Sequence, residues 1–145
     1  SNNTAVGYQS LSDNTTGARN SAFGDNSLAN NTTANNNNAF GYLSLYTNTT
    51  GTQNVAIGTE ALTANTTASY NTAVGYQSLF TNTTGAYNTA VGIKSLFFNV
   101  TGGDNVAVGD FALYSNTVSN NTAIGSDTLI ANTTVLLTQQ SVQVH

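Results

Sequence analysis

Enzymatic chemistry and metal binding both need ionisable or coordinating side chains, and in this chain they are few and dispersed. The carboxylates are Asp13, Asp25, Glu60, Asp104, Asp110 and Asp127, the cations are Arg19 and Lys94, and the one histidine, His145, is the last residue. A Ser-His-Asp relay or a His-metal site requires several such groups to converge. One terminal imidazole and scattered carboxylates do not supply that, so we expect no enzyme and no cofactor. Asp104 and Asp110 are the carboxylates nearest each other in sequence and read as solvated surface charge. Gly102-Gly103-Asp104 is a fragment of a calcium-loop pattern, but calcium wants clustered oxygen ligands, and a turn explains the triplet better.

Other chemistries are narrowed by composition. Only 6% of residues are charged and the net charge is −4, so two isolated cations cannot track a phosphate backbone and no nucleic-acid partner is expected. The absence of cysteine removes disulfides and thiolate metal sites. No apolar run approaches the ~18 residues that a membrane helix needs. The pattern N-x-[ST] occurs at Asn14, Asn48, Asn65, Asn82, Asn99 and Asn132, where either a glycan or the needs of a turn would explain it. Partial T-x-T pairs, Thr47 with Thr49 and Thr81 with Thr83, suggest an ice-matching threonine array. The same columns hold Asp13, Ala64 and Phe98, which interrupt it.

What must position these residues is a repeat. NTAVG and its variants recur at Gly7, Gly24, Gly41, Gly58, Gly75, Gly92, Gly109 and Gly125, in steps of 17 residues six times and 16 once. Written in rows, the chain gives eight copies with unchanging columns of Asn (Asn3, Asn71), Ala (Ala5, Ala73, Ala90), Gly (Gly7, Gly75, Gly92), Leu (Leu11, Leu79) and a second Asn (Asn14, Asn82). A further column is always bulky and apolar, as at Val6, Phe23, Ile57 and Val74. A unit this short cannot hold a helix pair of ~33 residues, and Asn, Thr and Gly are poor helix formers. We therefore expect an all-β fold, a β-solenoid of eight coils. Residues 3–137 form the repeat domain and residues 138–145 a strand-like tail. Each coil is read as two short strands, Thr4 to Tyr8 and Leu11 to Thr15 in the first, joined by turns.

Coils stacked about 4.8 Å apart turn each column into a ladder of like residues. Asn ladders can hydrogen-bond amide to amide. A ladder of charge would set like charges about 5 Å apart and costs roughly 1 kcal/mol per neighbour even in water; accordingly no column carries charge on adjacent coils. The expected core and ladder residues are Asn3, Val6, Leu11, Asn14, Asn71, Val74, Leu79 and Asn82. Strand alternation then puts Ala5 and Gly7 on the face opposite Val6. That invariant strip reads either as an assembly interface (Ala5, Gly7, Ala73, Gly75, Ala90, Gly92) or as the lining of a narrow interior, with the bulky column partly covered. Val142 and Val144 in the tail join the expected interface. The first coil begins without an evident cap, as in a subunit that stacks end to end or an excerpt of a longer array. Aromatic side chains at Tyr46, Phe80, Phe97 and Tyr114 read as contacts for a neighbour or surface, or as cross-coil stacking pairs.

The units NTAVGYQSL…NTTG, clearest at Asn3–Gly17 and Asn71–Gly85, resemble the head repeats of trimeric autotransporter adhesins. They are also similar to β-roll repeats of bacterial and phage tail-fibre-like proteins that carry a C-terminal intramolecular chaperone. The resemblance runs from Asn3 to about Thr134. It implies a left-handed parallel β-roll, often trimeric, on a cell or virion surface. The adhesin unit is shorter, near 14 residues, and no stalk, neck or anchor pattern occurs in this sequence, so a filament stays as open as a trimer. The expected function is an extracellular structural or adhesive fibre that assembles through copies of itself and contacts a host or environmental surface; ice binding is the alternative.

Overall fold

A computed structural model of the chain describes residues 2–133 and the backbone of a last strand at 139–141. Among the described residues nine strands form one sheet in sequence order: β1 Thr4–Val6, β2 Ser21–Phe23, β3 Asn38–Phe40, β4 Val55–Ile57, β5 Thr72–Val74, β6 Thr89–Val91, β7 Val106–Val108, β8 Thr122–Ile124 and β9 Gln139–Ser141. Every pairing is parallel and column-true: Ala73 lies between Ala56 and Ala90, and Val74 between Ile57 and Val91. The fold is a parallel β-solenoid, one coil per repeat. β9 falls within the expected tail and adds another rung, Gln139 opposite Thr122; Val142 and Val144 lie outside the described residues.

Each coil has one strand, not two. The segment expected as a second strand, Leu11 to Thr15 and its equivalents, is a run of turns. Its backbone still bonds from coil to coil, Leu79 N–H to Ser95 O at 2.9 Å and Thr81 N–H to Phe97 O at 3.1 Å, which is why its apolar and polar residues repeat as a strand's would. Extended conformation is ruled out by left-handed residues at three fixed places per coil, such as Gln77 (φ 53°), Leu79 (φ 52°) and Tyr87 (φ 60°). A short coil must turn back on itself, and these corners do the turning. A left-handed leucine costs about 1–2 kcal/mol. Full burial of its side chain is worth roughly 1.5–3 kcal/mol, so Leu79 holds the corner at little net cost.

The alternation also resolves differently from the first expectation. The Ala column is the interior: Ala22, Ala39, Ala56, Ala73, Ala90, Ala107 and Ala123 are 0% exposed and join the buried leucines in one continuous core. The bulky column faces out, with Val6 56%, Phe40 38%, Ile57 42% and Ile124 44% exposed and Val74 half-buried. Val6 and Val74 are therefore not core residues, and Ala73 and Ala90 cannot form an assembly interface. The reason is room: a coil closed by consecutive turns leaves space beneath its single strand for a methyl group and little more. The glycines meet a different constraint, the close approach of successive coils. A Cβ on Gly75, which sits at φ +133°, would come 2.5 Å from the carbonyl oxygen of Gly92. Gly7, Gly75 and Gly92 thus serve the contact between coils.

Leu11, in the first coil, packs partly buried against this core. Polar residues fill the rest of the interior. Asn71, Asn82 and Ser78 are 0% exposed, as are their equivalents in neighbouring coils. The 16-residue step is absorbed at one corner: Asn116 reaches Val118 O at 2.6 Å, two residues ahead, where Asn99 reaches Gly102 O three ahead at 2.7 Å.

Candidate functional site

The two asparagine columns do different jobs. In the second, from Asn31 to Asn116, Nδ2 donates to the preceding coil's Oδ1 (Asn82 to Asn65 at 3.2 Å, Asn99 to Asn82 at 3.2 Å) and to a carbonyl of its own coil, Gly85 for Asn82 at 2.9 Å. In the first column, the backbone N–H of Asn88 donates to Asn71 Oδ1 at 2.9 Å, while Asn71 Nδ2 meets the same Gly85 oxygen at 2.9 Å. One buried carbonyl per coil is thus clasped by two amides. Asn14 and Asn3 make the equivalent bonds to Gly17 O. Serines at a buried corner add a bond that sequence reasoning missed, Ser78 Oγ to Gly75 O at 3.1 Å; the regular exchange of Ser with Ala in that column was the available signal. Since Asn48, Asn65, Asn82 and Asn99 are fully buried, the turn explains their N-x-[ST] pattern and the folded coil offers no amide there to a glycan.

Four of the charged side chains bond across to an adjoining coil. Asp25 Oδ1 accepts the N–H of Tyr8 at 3.2 Å and Asp110 Oδ1 that of Ile93 at 2.8 Å, each satisfying an amide at the coil surface. Gln77 Nε2 donates to Glu60 Oε2 at 2.6 Å, Arg19 Nε to Asn36 Oδ1 at 2.8 Å, and Lys94 Nζ lies 5.6 Å from the Phe97 ring centre. Among the described residues no three of His, Cys, Asp or Glu converge, and no helix is long and apolar enough to cross a membrane.

Three surfaces remain as candidates. The first is the outer face of the sheet, where the column of Val6, Phe23 and Phe40 continues as Ile57, Val74 and Val91 and on to Val108 and Ile124. Beside it runs the neutral column that begins at Thr4. No charged residue stands in either. Phe23 and Phe40 stack at 4.9 Å. The second is a corner where Thr16, Thr33, Thr50, Thr67, Thr84 and Thr101 are all exposed, one per coil. Their chain neighbours Thr15, Thr32, Thr49, Thr66 and Thr83 spend their hydroxyls on the next coil's carbonyl, as Thr49 does on Thr66 at 3.1 Å. The third is an aromatic stack, Phe80 on Phe97 at 5.1 Å and Phe97 on Tyr114 at 5.3 Å, with Phe98 edge-on to both of the latter. Phe80, Phe97 and Tyr114 are therefore cross-coil pairs. Tyr46 stands in the same column, separated from them by Thr63.

Comparison with protein-family models, with curated proteins and with solved structures finds no match to this chain.

Proposed function

We propose that the chain is a building block of an extracellular structural or adhesive fibre, and that its partners are other copies of itself. One observation carries the reading: an uncharged apolar stripe runs outward along all eight coils. Soluble monomers rarely expose a continuous apolar band of this kind, and such bands mark association surfaces. The stripe repeats with the coils, so a partner that matches it rung for rung is another solenoid. Lateral packing on it replaces the Ala and Gly strip first considered. Placement at a cell or virion surface, and contact with a host or environmental surface, rest on the resemblance to surface-fibre repeats. Electron microscopy of the purified chain over a concentration series tests the reading: bundles, fibres or discrete oligomers are expected, and single rods at every concentration would overturn it.

A second reading, ice binding, is favoured by the unbroken rank of exposed threonines from Thr16 to Thr101. One rank at a corner presents a line rather than a plane, and for that reason it ranks below assembly. A chain that stays monomeric yet holds ice crystals from growing below the melting point would reverse the order.

A further inference from the structure

The residues of the outward stripe are not interchangeable, and their order along the rod carries information about how two copies meet. From the first coil to the eighth the column reads Val, Phe, Phe, Ile, Val, Val, Val, Ile. We infer that two copies pack stripe against stripe with their rods antiparallel, coil n of one on coil 9 − n of its partner; this rests on the self-association reading above. In that register Phe23 meets the partner's Val108 and Phe40 meets the partner's Val91. At the centre Ile57 meets the partner's Val74, and at the ends Val6 meets the partner's Ile124. Every contact joins one valine to one larger side chain, so the gap between the two sheets, about 10 Å in aligned packings, is filled evenly along the rod.

The parallel, in-register arrangement fails the same test. It sets Phe23 on Phe23 and Phe40 on Phe40, forcing the sheets apart, and leaves Val74, Val91 and Val108 facing valines across a gap too wide for them. Close-packed surfaces tolerate neither overfilling nor voids. A two-fold axis along the strands also makes the interface self-complementary, the commonest form of protein dimer. On each copy the flanking column facing its equivalent is neutral, from Thr4 to Thr122. The rim sets Asp25 across from the partner's Asp110, a like-charged pair that the two-fold repeats once, so added salt tightens the dimer by screening both.

The size of the face limits the affinity. Eight rungs at about 4.8 Å and three residues at about 3.3 Å give a footprint of roughly 380 Å² per copy, less than half of the ~800 Å² that each partner buries in a standard interface. The pair is a weak, reversible dimer.

The chain has no cysteine, which permits a direct test of orientation. Val6→Cys and Ile124→Cys both fall on exposed side chains and should leave the circular dichroism spectrum unchanged. Treated with a thiol-to-thiol cross-linker that spans about 10 Å, the distance between the sheets, a mixture of the two variants is expected to yield the cross-linked heterodimer, while neither variant alone links to itself. Phe23→Cys mixed with Val108→Cys repeats the measurement nearer the middle of the rod. Self-linking of Val6→Cys alone would overturn the antiparallel register and leave self-association standing. A dimer in sedimentation equilibrium that none of these pairs captures would place the contact on another face. Monomers throughout, with no cross-link, would overturn both this inference and the assembly reading.

Discussion

The side-chain amide of Asn82 touches three coils at once: it donates to Asn65 Oδ1 and to its own coil's Gly85 O, and its oxygen accepts from Asn99. Buried polar groups left without a partner cost about 1–3 kcal/mol each. Asn82→Ala strands the Asn65 oxygen and half of Asn99's donors, and is expected to lower stability by about 2–4 kcal/mol, read as a shift in the urea midpoint at unchanged slope. Ser78→Ala gives up only its bond to Gly75 O, and Ala61 and Ala112 already occupy that column; its shift should stay within about 1 kcal/mol. The Asn ladders were legible in the sequence because the residue type never changes from row to row. Their division of labour was not, since it depends on which donor happens to lie above each Oδ1, a backbone N–H in one column and a side-chain amide in the other.

At the scale of the coil, strand alternation told the two faces of the strand apart but not which one was inside. A signal for that was present in the volumes. The Ala column holds one residue in every row, whereas its neighbour exchanges Val, Ile and Phe, a range of size that a close-packed interior does not accept. The segment from Leu11 to Thr15 and its equivalents carries a strand's pattern without being a strand, because coil-to-coil hydrogen bonds persist through the turns and periodicity survives where extended conformation does not. Paired substitutions check the assignment of faces. Ala73→Glu places a carboxylate in a space 0% exposed and is expected to abolish the cooperative unfolding transition altogether. Val74→Thr next door should change stability by less than about 1 kcal/mol while weakening self-association in sedimentation equilibrium. Equal loss of folding in both would contradict the assignment.

Over the whole rod, each coil touches only its neighbours in the stack, so stability is a sum of like terms along one dimension. Removing one full coil, residues 54–70, joins Gln53 to Asn71 and rebuilds the same column register. The shortened chain is expected to fold, with a melting temperature lower by a few degrees, whereas removing half as many residues would throw every ladder above the cut out of register and should leave no cooperative transition. Hydrogen exchange should be slowest in the central coils and faster towards both ends of the stack. The clasp of two asparagines on one carbonyl has a consequence for how such a molecule changes over generations. Because each coil presents the same donors below and the same acceptors above, a slip of one repeat during copying of its coding sequence inserts or deletes a complete coil without creating a junction the structure has not already solved. Length can then vary among descendants while the fold stays the same, and reach becomes a trait that selection adjusts by counting.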